Sequence, residues 1–96
     1  MSHPVSRDSG ADDRELVERA RALPASPEGR AAAGELLRRY RRQVYMWCFR
    51  YVRDHERALD MAQDVLLSAY QRLGEFEGRA AFSSWLFVIA RNRGLN

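Results

Sequence analysis

The side chains in this sequence best placed to do chemistry are two carboxylates, Asp60 and Asp64, four residues apart. Residues at this spacing lie on the same side of a helix, as the acid and the base of a catalytic pair would. The surrounding sequence supplies neither a second base nor a pocket, and it contains no phosphate-binding loop or dinucleotide-binding glycine motif. We therefore expect no catalysis here and interpret the two carboxylates as groups that bind a partner.

Cysteine and histidine do not provide a second chemical centre. Cys48 is the only cysteine and lies in an aromatic run, so we expect it to be a small core residue. His3 and His55 stand alone, and no cysteine or histidine cluster has the spacing of zinc ligands. No metal ion, cofactor or enzymatic activity is expected. A small helical enzyme or redox sensor built on Cys48 is the alternative that the sequence leaves open.

Arginine supplies all sixteen basic residues, because the sequence contains no lysine. The planar guanidinium group suits phosphate and base-edge recognition, since it donates hydrogen bonds in pairs and also stacks. Arginine outnumbers the acids in residues 37–57 and 79–96, whereas acids outnumber arginine in residues 1–36 and 58–78. These alternating blocks indicate two partner surfaces of opposite charge, or alternatively ordinary solvated helix faces.

Length and composition favour one small helical domain. The chain has 96 residues, of which 46% are hydrophobic and 30% charged, which is ordinary globular composition. No apolar run approaches the roughly 20 residues that span a bilayer, and no leader sequence is evident, so we expect a soluble cytoplasmic protein.

The periodicity of apolar residues predicts an all-α fold, a compact bundle of about four helices. Residues 1–11 are polar and predict a flexible N-terminal tail, so the helical domain is assigned to residues 12–96. The first helix starts at Asp12 or Asp13, and Pro24 and Pro27 are expected to end it within a linker. The second helix covers 30–52, the third about 56–73, and the last runs from about 81 to the end. One apolar seam is predicted on the second helix, formed by Leu37, Tyr40, Val44, Trp47 and Tyr51.

The third helix carries the most informative pattern. Its apolar side is formed by Ala58, Ala62, Val65, Leu66, Ala69 and Leu73. Its opposite side carries Asp60, Gln63, Asp64, Leu67 and Gln71. Two carboxylates, two amides and one exposed leucine, with no arginine among them, predict an acidic docking face with an apolar centre. The alternative is an ordinary surface with one stray leucine.

Three motifs together resemble a known family. They are A-x-D-x-x-Q-D at 58–64, F-x-G-x-x-x-F at 76–82 and W-L-x-x-I-A-R-N at 85–92. In this order and spacing the sequence is similar to region 2 of the extracytoplasmic-function group of bacterial sigma factors. The resemblance implies an all-helical domain that docks on the clamp helices of core RNA polymerase and recognises the promoter −10 element through the non-template strand.

The resemblance also implies which residues take part. Asp60, Gln63 and Asp64 fall on the family's polymerase-docking positions, on the same face as Leu67 and Gln71. Phe76 and Asn92 fall on positions of the pocket that captures an unstacked base. We add two arginines, Arg79 and Arg91, as phosphate contacts. Alternatives remain at two of these positions. The Phe76 ring would simply cover the core, or the Asn92 amide would bond its own helix end.

The sequence departs from the family pattern in several places. Leu66 stands where the family usually has phenylalanine, and the linker PASPEG at 24–29 is longer than the usual turn. Asn96 stands where an aspartate often occurs, and no segment resembles the family's second domain, which reads the −35 element. We therefore expect a domain that is truncated at its C-terminal end. An alternative function is a protein-interaction module that serves mainly as the target of an anti-sigma protein.

Overall fold

The computed structural model describes residues 12–94, and this part of the chain is helical without strands. Its elements are α1 (Asp13–Ala22), α2 (Pro27–Val52), α3 (His55–Arg72), a short 3-10 helix (Leu73–Glu75) and α4 (Phe82–Asn92). The predicted all-α fold is confirmed. The predicted tail at 1–11 lies outside the described residues. None of the helices in the described range combines the length and the apolar character that crossing a membrane requires.

Side-chain caps fix where the first three helices begin. Asp12 precedes α1, Ser26 precedes α2 and Asp54 precedes α3, each with extended backbone. In every case a side-chain oxygen accepts a hydrogen bond at 2.9 Å from the backbone N–H three residues later. Such caps satisfy an N–H group that has no partner inside the helix, and each stabilises its helix by ~1 kcal/mol.

The connection between α1 and α2 differs from the prediction. Pro27 does not lie in a linker but is the first residue of α2, where its fixed φ angle suits a helix and its missing N–H costs nothing. The helix therefore starts three residues earlier than expected. Gly29 makes this possible, because a Cβ at this position would lie 1.8 Å from the Leu23 carbonyl oxygen.

The core is formed by side chains from all four α-helices. The largest fully buried ones are Leu16, Leu36, Leu86, Val44, Val65 and Cys48. α2 packs along both α1 and α3, and α4 lies against α3 and α2. Cys48 has no exposed surface, which confirms its prediction as a core residue.

The apolar seam of α2 ends differently from the prediction. Tyr51 was expected in the seam, but half of its surface is exposed. The buried line instead advances in steps of four residues, from Val44 to Cys48 and on to the partly buried Val52. Steps of four remain on one face of a straight helix for this distance, so Tyr51 is left at the edge of the seam.

A polar contact ties α1 to α2. The Tyr40 hydroxyl donates a hydrogen bond to the Asp13 carboxylate, and the Arg39 guanidinium lies 3.1 Å from the same carboxylate. Burial of the phenol, together with the hydrogen bond to Asp13, raises the pKa of Tyr40 to about 12. The phenol therefore keeps its proton at neutral pH and remains a donor.

Two leucines that differ in burial test this arrangement. Leu86 on α4 has no exposed surface, whereas 55% of Leu67 on α3 is exposed. We expect Leu86→Ala to lower the free energy of unfolding by about 2–5 kcal/mol, because it leaves a cavity in the core. Leu67→Ala should change it by less than ~0.5 kcal/mol. Urea denaturation followed by circular dichroism measures both values, and equal losses would contradict the burial of α4.

Candidate binding surfaces on α3 and α4

The predicted docking residues share one exposed side of α3. This α3 outer face consists of Asp60, Gln63, Asp64, Leu67 and Gln71, all exposed in the structure. The opposite side is buried by Ala58, Ala62, Val65 and Ala69, none of them more than 4% exposed. At a rise of ~1.5 Å per residue the outer face extends over about 16 Å. The structure thus brings these five residues together as one polar strip around an exposed leucine.

An arginine that the sequence did not single out lies on this strip. Arg93 directly follows α4, and its Nη2 and Nε atoms lie 2.6 Å and 3.2 Å from Oδ2 of Asp64. The two residues are 29 positions apart, so no periodicity could have indicated the contact. The carboxylate of Asp64 is therefore paired within the chain, unlike that of Asp60, for which the described residues show no ion pair.

A shallow groove of about 650 Å³ runs along the same side. It is lined by Val52, Arg57, Asp60, Met61, Gln63, Asp64, Leu67 and Arg93. Two carboxylates and two guanidinium groups line it, around apolar atoms of Met61 and Leu67. Such a mixture suits a partner helix that carries cations beside an apolar side chain.

Residues 76–81, the Phe76 segment, connect the 3-10 helix to α4 and are held by ring packing. Phe76 is only 7% exposed, and its ring centroid lies 5.4 Å from that of Phe82 and 5.4 Å from that of Trp85. Gly78 has φ 83°, a conformation that favours glycine, and so allows the chain to turn back toward α4. The Phe76 ring covers the core in this arrangement, and its contact with a base stays a prediction.

A second cavity opens beside this segment. It has a volume of about 340 Å³ and is lined by Glu75, Phe76, Glu77, Gly78, Arg79, Ala80, Ser84, Trp85 and Val88. Trp85 packs against the core and also forms a wall of this cavity. The spacing of Trp85 and Val88, three residues apart on α4, was the signal for this wall. Aromatic and aliphatic walls suit a flat ring that stacks.

The predicted nucleic-acid contacts fall into two groups. Phe76 and Arg79 lie near the start of α4, and the Arg79 side chain is 88% exposed beside Glu77. Arg91 and Asn92 are exposed in the last turn of α4. The two ends of this helix are about 15 Å apart. The structure therefore does not place Phe76 and Asn92 in one pocket.

The Asn92 amide is available to a partner. Within residues 12–94 its side chain makes no hydrogen bond, so the amide does not bond its own helix end as the alternative supposed. The carbonyl oxygens of the last turn, those of Ile89, Ala90 and Arg91, are satisfied by the backbone N–H groups of Arg93 and Gly94. The Asn92 amide keeps both its donors and its acceptor for an external group.

Comparison with known proteins identifies the family. The sequence model of the family described as Sigma-70 region 2 matches residues 36–96, which include α3, the Phe76 segment and α4. The chain belongs to this sigma factor family. It is 36% identical over 85 residues to the RNA polymerase sigma-H factor of Pseudomonas aeruginosa, which covers 88% of this chain and 41% of that protein.

Further relatives place it in the extracytoplasmic-function (ECF) group. The chain is 38% identical over 88 residues to the ECF RNA polymerase sigma factor SigM of Mycobacterium tuberculosis, covering 91% of this chain and 45% of that protein. The solved structure of an engineered region 2 of sigmaE in complex with GTAAAA is similar to it in fold, with a TM-score of 0.73 and 30% identity. That match covers 93% of this chain and 85% of the other. This sigma region 2 chain spans less than half the length of the two curated relatives.

Cys48 has a protected environment in this sigma region 2 domain. Its side chain is fully buried, and burial raises the pKa of the thiol. Reaction requires the thiolate and access to it, so both conditions work against a reactive cysteine. Among residues 12–94 no three histidine, cysteine, aspartate or glutamate side chains come together as a metal site.

We therefore expect the native thiol to be inert. A thiol-specific disulfide reagent at neutral pH should label Cys48 at least ~100-fold more slowly in the native protein than in 6 M guanidinium chloride, because labelling must await opening of the core. The release of the chromophore over time measures both rates. Native labelling as fast as in denaturant would support the redox-sensor alternative instead.

Proposed function

We propose that this chain is the part of an ECF sigma factor that binds core RNA polymerase through α3 and recognises the −10 element of promoter DNA. The proposal assigns this activity to residues 12–96 as one helical domain. It places the protein in the cytoplasm of a bacterium and gives it no catalytic role. The observation that carries it is the α3 outer face, a continuous exposed strip that lies inside the segment matched by the family.

The polymerase contact is argued from the chemistry of this face. Carboxylate and amide oxygens accept hydrogen bonds from the cations of a partner helix, and charge-assisted bonds of this kind are the strong ones. Leu67, with 55% of its surface exposed, would exclude water from the centre of the contact. The clamp helices of the polymerase are the partner that the family resemblance implies.

The DNA contact is argued from α4 and the Phe76 segment. The engineered sigmaE region 2 was solved in complex with GTAAAA, and we propose that this chain also binds a single strand of the −10 element. The free Asn92 amide would read a base edge, the cavity walled by Trp85 would take a stacked ring, and Arg79 and Arg91 would contact phosphates. Phe76 lines the same cavity and packs against Trp85.

An anti-sigma inhibitor is the alternative partner. Such an inhibitor would cover the same α3 outer face, so this alternative rests on no observation of its own. We do not propose it as the main function. Measuring binding to both polymerase and DNA distinguishes promoter recognition from service as an inhibitor target, since only a promoter-recognition domain must bind both.

Charge reversal on α3 tests the polymerase contact. Asp60→Arg is the cleaner variant, because Asp64 already pairs with Arg93 within the chain. We expect Asp60→Arg to weaken binding to bacterial core RNA polymerase by about tenfold or more, since the new guanidinium group would repel the cations of the partner helix. Fluorescence anisotropy of the labelled chain, titrated with core enzyme, measures this.

The matched control for this titration is Glu18→Arg, which makes the same charge change at an exposed site of α1. It should bind core enzyme as the wild type does. Circular dichroism should be unchanged in both variants. Unaltered binding by Asp60→Arg would show that α3 is not the docking helix, and a wild-type chain that fails to bind would overturn the polymerase part of the proposal.

The DNA contact is tested at Asn92. Single-stranded oligonucleotides are first selected from a random pool with the wild-type chain bound to core enzyme. Asn92→Ala should then weaken binding of the selected strand by about 1–3 kcal/mol, because the base loses its polar partner. Polymerase affinity should stay unchanged. Gln43→Ala, which removes an exposed amide from α2, is the control, and an equal effect of both variants would argue against a base contact at Asn92.

A further inference from the structure

The ion pair between Arg93 and Asp64 joins the two proposed binding surfaces. Asp64 belongs to the α3 outer face, and Arg93 directly follows Asn92 at the end of α4. Both donor atoms of the guanidinium approach the same carboxylate oxygen, at 2.6 Å and 3.2 Å, so the second oxygen stays free. The two side chains are 44% and 49% exposed, so water and a partner can reach the pair.

The end of α4 holds the Arg93 backbone in place. Its N–H group donates to the carbonyl oxygens of Ile89 and Ala90, at 3.0 Å and 3.1 Å. Gly94 follows with φ 144°, and a Cβ there would lie 3.4 Å from Cε of Met61 on α3. The Arg93 backbone is thus hydrogen-bonded to the last turn of α4, next to Met61 of α3, while its long side chain is exposed and can reach another partner.

The pair is weak enough to be exchanged. An ion pair whose side chains are half exposed contributes little free energy, because water screens the charges and two long side chains lose freedom. A cation brought by a partner helix that also excludes water would compete with Arg93 for the same carboxylate. Asp60, one turn earlier, has no ion pair among residues 12–94, so a partner would meet no such competitor there.

We propose that Arg93 is an internal competitor for the cation that polymerase sets against Asp64, and that docking transfers Arg93 to the phosphate backbone beside Asn92. This inference rests on the proposed function, since it concerns how the two surfaces of that function act on each other. Binding at α3 then favours binding at the end of α4, and by linkage DNA favours polymerase to the same extent.

The polymerase side is tested with Arg93→Gln. Removal of the competitor should tighten binding to bacterial core RNA polymerase by about twofold to fivefold, the range expected for an exposed ion pair. Arg19→Gln is the matched control. Arg19 pairs with Glu15 on α1 at 2.8 Å and its side chain is 48% exposed, so the variant loses a similar ion pair and the same charge. It should leave the affinity unchanged.

The DNA side is tested without polymerase, using a labelled random-sequence single strand at low salt, where phosphate contacts dominate. Asp64→Asn should release Arg93 and tighten binding by about twofold to fivefold more than Asp60→Asn, which removes the same charge one turn away. The extra gain should vanish in the double variant Asp64→Asn/Arg93→Gln. Circular dichroism checks that every variant remains folded.

The outcomes separate this inference from the proposed function. If the wild-type chain binds polymerase but Arg93→Gln binds no tighter than Arg19→Gln, the competition is overturned and the docking function stands. If Asp64→Asn gains no more than Asp60→Asn, or keeps its gain in the double variant, the transfer to DNA is overturned. A wild-type chain that binds no polymerase overturns the proposed function, and this inference with it.

Discussion

The close packing of α3 on α2 is the constraint on which the rest of the structure depends. The inner side of α3 is made largely of alanine, and Ala58, Ala62 and Ala69 are all but completely buried, with Val65 among them. Small side chains let two helices approach closely, so α3 is held along its length rather than at one point. When a helix packs in this way along its length, its opposite side is exposed to solvent. The α3 outer face is therefore exposed because the opposite side of α3 is buried. Its five residues need no contacts with one another to stay exposed.

Periodicity predicted this part of the molecule because it depends on one helix alone. The exposed positions of Asp60, Asp64 and Leu67 follow from 3.6 residues per turn once the alanines are assigned to the core. The starts of α1 and α3 were also predicted to within one residue, where Asp12 and Asp54 cap the helices. The last helix was expected to run to the end of the chain, but α4 ends at Asn92, and Arg93 and Gly94 form a turn. Pro27 was misread because a proline can end one helix or begin the next, and the choice depended on the Ser26 cap and on Gly29, whose missing side chain lets the chain pass the end of α1.

The other features that the sequence did not predict depend on how the helices pack against one another. The contact of Arg93 with Asp64 depends on where α4 ends relative to α3, and no local pattern encodes that position. The exposure of Tyr51 likewise depends on which side of α2 the neighbouring helices cover. The role of Trp85 as a cavity wall appears only when the Phe76 segment is folded against α4.

The geometry of α4 explains how one short helix can serve two surfaces. Its first turn is locked to the Phe76 segment by three mutually contacting rings, since Phe82 and Trp85 also lie 5.4 Å apart. Its C-terminal end lies beside α3, where Arg93 pairs with Asp64 and Gly94 lies near Met61. These contacts near both ends restrain this helix of 11 residues. Arg93 is a long, exposed side chain that lies between the α3 outer face and the end of α4, so a change of its partner would link the two proposed surfaces. Both side chains of the Arg93–Asp64 ion pair are about half exposed, so Arg93 can exchange Asp64 for a phosphate at a small cost in free energy. A small cost of this kind is what a coupling of a few-fold between two sites requires.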